Sequence, residues 1–378
     1  MVILAAGPLS GCVGVVGTLD DGAVGDAGAD TSRFVPTDGG DGAVLDGASD
    51  SRPASDSGPG ADSGPVDSAA PDTGPPPCPT GETRCSGTCL NTNTDVNNCG
   101  MCGRICATGA TCSGGLCMGG TGCAPAPGGS TAAAIAALEA TNDARLGMGV
   151  PCMEMITEIN TAAQNHCDYY VAGGSACQAS HSEIMSCPGF TGERFSTRMR
   201  FAGYTGSPAF EDMHFINSGA GAVRGWIDSV WHRTPVLSPW VRHAGYGGAS
   251  GGGASCDTMD FGRGPSTPSD TTAVYPYANQ TGVPASFSGR EGPPPPEPPT
   301  GWPSGYPITI FVNGSLTTHT LTVDGDATPI DHVWITPSDS TLLTSEYYMY
   351  AHDPLAAGTT YRVHVTGSVD LEWTFTTR

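Results

Sequence analysis

The sequence predicts a multidomain chain with a small disulfide-rich module, a helical middle and a strand-rich C-terminus. Three observations predict it. The 378 residues exceed the roughly 100–200 residues of one domain. The 15 cysteines fall into a dense early group and a sparse later one. Apolar spacing is helical between residues 130 and 230 and changes to period two beyond residue 301.

Composition narrows the function classes. The 55 Gly and 32 Pro make up 23% of the chain, about twice the usual share, so part of it is linker. Acids outnumber bases 37 to 15, for a net charge of −22, and every base is Arg. Such a chain has no basic footprint for a phosphate backbone, which excludes nucleic-acid binding. No apolar run approaches the roughly 20 residues of a spanning helix.

Cysteine-dense chains belong to oxidising compartments. At the N-terminus Leu9-Ser10-Gly11-Cys12 resembles a bacterial lipobox, with residues 1–12 as lipoprotein signal. The resemblance implies cleavage before Cys12, a diacylglycerol on its sulfur, and a membrane partner through that anchor. The short, uncharged leader departs from the usual signal. Residues 13–77 hold twelve Asp, two Arg and a single aromatic, Phe34. They bury too little to offset about 1–2 kcal/mol of backbone entropy per residue, and read as a disordered acidic tether.

Residues 78–117 carry Cys78, Cys85, Cys89, Cys99, Cys102, Cys106, Cys112 and Cys117 among small polar residues. Forty such residues need staples. Four disulfides are expected, with Cys99, Cys102 and Cys106 as zinc ligands the alternative. Asp95 to Gly103 resembles a cysteine-rich module of secreted Gram-negative proteins, which implies no activity.

A linker, 118–129, leads to a helical domain at 130–264. Ser130 is the expected N-cap of a first helix with Ile135, Leu138, Asn142 and Leu146 on its stripe. Cys152, Ile156, Ile159, Ala163, Cys167 and Tyr170 mark a second. Phe195, Met199 and Ala202 mark a third that ends at Gly203, and a fourth runs near Ala220 to Val230. Cys123, Cys152, Cys167, Cys177, Cys187 and Cys256 suffice for three bridges. A Cys177–Cys187 bridge would clamp the loop around His181, and Cys167 alternatively is a core thiol.

Asn142-Asp143-Ala144-Arg145, Ala162 to His166, His181, Arg198, Gly203-Tyr204, Glu211, Trp226, Ser229, His232-Arg233 and Leu237-Ser238-Pro239 form an ordered series. It resembles a bacterial member of the superfamily of cysteine-rich secretory proteins, antigen 5 and pathogenesis-related 1 proteins (CAP). The resemblance implies an α-β-α sandwich with a shallow cleft formed by His181, Glu211 and His232, a set that would suit a divalent cation such as zinc. Asp212 stands where the family has Asn, and Val230-Trp231 replaces Pro-Gly. The second Glu of eukaryotic members, shortly after the position of Trp226, is missing here, where Asp228 and Ser229 stand. Standing after the fourth helix, His232 is expected to gain a proton from the helix dipole. The alternative is that the two His and Glu211 only brace the sandwich.

Residues 265–300 read as a Pro-rich connector and 301–378 as a β-sandwich. Its strands are Tyr306 to Val312, Thr318 to Val323, His332 to Ile335, Tyr361 to Val365 and Leu371 to Phe375. Pro354-Leu355, Gly358, Tyr361, Trp373 and Phe375 resemble Ig-like or fibronectin-like domains, with Tyr361 in the corner role.

These readings lead to an exported protein, either a surface or outer-membrane lipoprotein or secreted. It is expected to bind a small apolar ligand, such as a lipid or sterol, or an envelope glycan, in the His/Glu cleft. A metal-dependent hydrolase and a structural spacer are the alternatives. No zincin or serine-hydrolase motif supports catalysis. The anchor is tested by fractionation: Cys12→Ser should abolish fatty-acid labelling and detergent partitioning, and unchanged fractionation would remove it.

Overall fold

The computed structural model describes residues 78–85, 87–99, 110–119, 122–265, 271–340 and 345–378. Cys12, the acidic segment 13–77, Cys102 and Cys106 lie outside the described residues. Among those described, no helix is long and apolar enough to cross a membrane.

Two hairpins build the cysteine module: β1 (Thr83–Cys85) with β2 (Thr88–Leu90), and β3 (Ala110–Ser113) with β4 (Leu116–Gly119). Disulfides Cys78–Cys89 and Cys99–Cys112 close it, and Cys85 is also disulfide-bonded. With its sulfur committed to Cys112, Cys99 cannot be a thiolate ligand, which removes the zinc alternative there.

The middle of the chain runs α1 (Ala132–Met148), β5 (Glu154–Met155), α2 (Thr157–Ala172), α3 (Phe195–Phe201), β6 (Pro208–His214), α4 (Ala220–Ile227), α5 (Arg233–Leu237), β7 (His243–Gly251) and β8 (Ala254–Gly262). The sheet order is β5-β7-β8-β6. Helix α2 packs on β7 and β8, with α3 against it, while α1, α4 and α5 pack together on the other side. Gly245 and Gly247 make the α2 contact. A Cβ on either would lie 2.2 Å from the α2 backbone, so only glycine lets helix and strand approach so closely.

Helix α1 starts one residue later than expected. Thr131 is the N-cap, its hydroxyl accepting from the Ala134 amide at 3.1 Å, while Ser130 turns back to donate to the Pro127 carbonyl. Its buried face is Ala134, Ala137, Leu138, Thr141, Asn142, Arg145 and Met148, and Ile135 is left 40% exposed. The stripe read from the largest apolar residues was rotated, because alanines can be packed more closely than Ile135 and Leu146. Three bridges staple this part: Cys123–Cys152, Cys167–Cys256 and Cys177–Cys187. Cys167 is therefore a cross-link from α2 to β8.

The connector expected at 265–300 is largely structured. Of its described residues, β9 (Ala273–Tyr275), β10 (Gln280–Val283) and β11 (Ser286–Phe287) join the sheets that follow. They are β12 (Ser304–Gly305), β13 (Ile308–Phe311), β14 (Leu316–Val323), β15 (His332–Ile335), β16 (Glu346–Ala351), β17 (Thr360–Gly367) and β18 (Asp370–Thr377). Two four-stranded sheets result, ordered β10-β18-β17-β14 and β15-β16-β13-β9. Proline is tolerated because these segments lie at sheet edges and between strands. Tyr361 is buried, and its hydroxyl accepts from the Ala356 amide at 2.7 Å. The strand β16 went unread because all six of its residues are buried, so it lacks alternation.

The middle and the β-rich part share one apolar cluster, from Trp226 and Phe261 to Tyr306 and Phe375. Arg233 reaches across, donating to the Pro307 carbonyl and to Thr309, with its guanidinium 4.9 Å from the Tyr306 ring centroid. Among the bridges of the described residues, Cys167–Cys256 has the longest span, a separation of 89 residues. Replacing both with alanine should cost about 4 kcal/mol in denaturant unfolding, and more than the Cys177→Ala/Cys187→Ala pair. A loss no larger than that of the short loop would refute this ranking.

Candidate functional site

Strand β6 sorts the carboxylates. Glu211 lies opposite Asp260 on β8 and Asp212 opposite Met259, and successive strand residues point to opposite faces. Glu211 thus faces α2 and α3, whereas Asp212 shares the side of Met259, which packs with α1 and α4.

On the first face, His181 Nδ1 is 2.8 Å from Glu211 Oε1, and Arg198 from α3 donates to Glu211 Oε2. Arg198 also donates to the carbonyls of His181 at 3.2 Å and Glu193 at 3.1 Å, so it holds the loop that carries His181. Glu183 braces the same loop, accepting from the amides of Thr191 at 2.5 Å and Gly192 at 3.2 Å. His166 of α2 lies 3.1 Å from Glu183 through Nδ1 and 2.7 Å from the Ser180 carbonyl through Nε2. The Cys177–Cys187 bridge closes the loop's base. Burial pushes the Glu211 carboxyl up, but Arg198, His166 and His181 together hold it well below the usual carboxylate range. Asp260 goes the other way: burial, and then the Glu211 charge, raise it well above that range.

His232 belongs to a separate cluster. It precedes α5 as the N-cap residue, and its partner is Glu291, from the segment read as connector. The Glu291 carboxylate accepts from the amides of Val230 at 2.8 Å, Trp231 at 2.5 Å and His232 at 2.9 Å, with His232 Nδ1 at 2.8 Å. Three consecutive amides form an anion-binding concavity of the kind usually filled by a ligand, occupied here by the chain itself. Burial lowers the His232 imidazole, but Glu291, with Asp212 adding, raises it above its ordinary value. The upward shift therefore comes from the acids beside the ring and not from a helix end, since α4 already ends at Ile227. Burial raises Asp212 well above the carboxylate range. Val230 and Trp231 are covered by Phe287, Ile335, Tyr348 and Tyr350.

The three residues expected in one cleft are thus split between two pairs. Both Glu211 oxygens are engaged, His232 Nδ1 is taken by Glu291, and the His181 and His232 Nε2 atoms are buried without partners. Among the described residues no group of three or more His, Cys, Asp or Glu is arranged to hold a metal ion. The set does not fit a zinc ion.

Several residues of the family-like series brace the fold. Asn142 exchanges two hydrogen bonds with the Met153 backbone, at 3.1 and 2.7 Å. Arg145 donates to the carbonyls of Pro151, Val236, Ser238 and Val241. Trp226 Nε1 donates to the Met213 carbonyl at 3.1 Å. Glu291 was missed because a lone Glu ahead of a proline run carries no local sign of its partner 59 residues away.

A raised histidine pKa stabilises the fold fully below the unfolded value of about 6.5, and that contribution is lost as pH rises through the folded value. Wild type should therefore lose more stability between about pH 6 and about pH 9 than His232→Gln does. An equal loss in the two proteins, by denaturant unfolding, would show that the His232–Glu291 contact is not charge-assisted.

The model of the stigma-specific STIG1-like protein family matches residues 72–119, and that of the cysteine-rich secretory protein family (CAP) matches residues 138–257. Among solved structures, an extracellular protein containing an SCP domain from Bacillus anthracis str. Ames is similar, at 19% identity and a TM-score of 0.30. The similarity covers 35% of this chain and 40% of that one, so the chain spans less than half the neighbour's length. No curated protein matches the chain. By the family-model match, residues 138–257 form a CAP-like domain, behind a disulfide-rich region and ahead of a β-rich C-terminal part.

Proposed function

We propose that this is an exported, surface-displayed binding protein, lipid-anchored at Cys12 and held off the membrane by residues 13–77. Its ligand is a small, uncharged apolar molecule of the neutral lipid or sterol class. The observation that carries the reading is a groove of about 430 Å³ between α1 and the strap 123–126. Ala126, Ile135, Leu138 and Leu146 supply its apolar lining, with the exposed carboxylates of Glu139 and Asp143 beside them. That volume suits a small ligand, and the two acids disfavour a ligand carboxylate. The groove is preformed, because Cys123–Cys152 pins the strap and the Thr131 cap fixes the start of α1. Ile135, 40% exposed on α1, is the apolar side chain that such a ligand would cover.

The His/Glu pairs are then bracing groups. A carboxylate held as low as Glu211, with both oxygens occupied, is a weak general base, which disfavours a hydrolase. Dehydroergosterol, a fluorescent neutral sterol, serves as the probe. Ile135→Glu should weaken its binding at least about tenfold, equivalent to about 1.4 kcal/mol, while His181→Ala binds like wild type. Equal binding by Ile135→Glu and wild type would overturn the groove, and loss in His181→Ala alone would return the ligand to the cleft.

A further inference from the structure

A second pocket lies between the residues leading into α1 and the flank of α2. Its α2 wall is Thr157, Asn160, Thr161, Gln164 and Asn165, at i, i+3, i+4, i+7 and i+8 spacing, so all five share one helix face. Gly128, Gly129, Ser130 and Thr131 stand opposite, and Ala134 and Tyr246 complete the lining. The volume is about 270 Å³, just under the roughly 300–1,000 Å³ of drug-sized ligand sites. The pocket shares no residue with the groove beside the strap 123–126.

Charge sets this pocket apart. In a chain of net charge −22, its only titratable side chain is Tyr246. That hydroxyl is already spent, donating to Asp257 and accepting from the Gly219 amide at 2.9 Å. Two carboxamides of the wall are fixed before any ligand arrives. Asn160 Oδ1 accepts from the Tyr246 amide at 2.8 Å, and Gln164 Oε1 from the Gly248 amide at 3.2 Å. Gln164 Nε2 is committed to the Gly248 carbonyl and to Asp168.

The remaining groups both donate and accept. Asn160 Nδ2 has only a 3.4 Å contact with Ser130 Oγ, so one of its two hydrogens is free. Thr131 Oγ1 accepts from the Ala134 amide and keeps its own hydrogen. The Thr161 hydroxyl donates to the Thr157 carbonyl at 3.0 Å and keeps its lone pairs. Among the described residues the Thr157 hydroxyl and the Asn165 carboxamide have no hydrogen-bond partner. A charged ligand finds no counter-charge here, and an apolar one would strip water from these groups without replacing its hydrogen bonds. Adjacent hydroxyls of a sugar, each a donor and an acceptor, match the set. The mouth is open as well. A Cβ on Gly128 would meet nothing within 4 Å, and its φ is not positive, unlike the 90° of Gly129. Neither packing nor backbone requires glycine at 128, and the missing side chain leaves the entrance clear.

We propose that this pocket is a subsite for one ring of a neutral saccharide, held through its hydroxyl groups by Thr131, Thr157, Asn160, Thr161 and Asn165. The test uses the full chain and the methyl glycosides of glucose, galactose and N-acetylglucosamine, with binding read by saturation-transfer difference NMR. At least one should bind wild type. Thr157→Val and Asn165→Leu keep the approximate shape of each side chain and remove its polar groups. Each should weaken that binding about five- to tenfold, while the unfolding midpoint stays that of wild type. No signal from any of the three glycosides overturns the proposal, and so does wild-type affinity in Asn165→Leu. If the variants do not fold, wild type labelled with a diazirine derivative of the binding glycoside decides. Label within residues 128–131 or 157–165 supports the subsite, and label confined to other residues overturns it.

Discussion

Burying a guanidinium is the constraint around which this protein is arranged. The chain has no lysine, and three of its fifteen arginines, Arg145, Arg198 and Arg233, are among its largest fully buried side chains. A buried positive charge is tolerated only with acceptors around it, and the planar five-donor guanidinium can collect several at once. Arg145 gathers four carbonyls and so ties α1 to the turn after it and to the segment 236–241. Burial, with Arg242 adding, brings its pKa down to about 9, which leaves it charged at neutral pH. Arg198 ties the 181–193 loop to β6, and Arg233 ties the middle of the chain to the β-rich part. Each arginine sits where two pieces of chain must meet.

The buried acids follow from that placement. Glu211 is held low because Arg198 lies against it, and after burial its charge is the next cause that raises Asp260. On the other side of the sheet, Glu291 is held by three amides and an imidazole, and burial raises Asp212 well above the usual carboxylate range. Glu211 and Glu291 are compensated within the chain, which is what low-dielectric burial requires, whereas both Asp212 oxygens are buried without a hydrogen-bond partner. The compensated pairs leave little chemistry free.

Much of the architecture was legible because it depends on local chemistry. Helical spacing marked α2, α3 and α4, and the positive φ of Gly203, at 97°, ends α3 as a glycine signal should. Period-two runs marked β14, β15, β17 and β18. The failures have specific causes. Helix α1 buries alanines, so its largest residues pointed to the wrong face. Strand β16 is buried throughout and shows no alternation. The segment after residue 270 looked like linker because prolines and glycines at sheet edges and in turns have the composition of linkers.

By itself, the sequence determined a disulfide-rich region ahead of a CAP-like stretch and a strand-rich C-terminus, and the oxidised state implied by regular cysteine spacing. Each of these follows from neighbours a few residues apart or from residue chemistry alone. Only the tertiary structure decided that Glu211 and Asp212 are divided by the strand between them, that His232 answers to Glu291, and that His319 faces His332. Those outcomes depend on strand register and on the meeting of segments tens of residues apart. Nothing in the local sequence records such distances, because the chain is brought back on itself by packing and not by local preference.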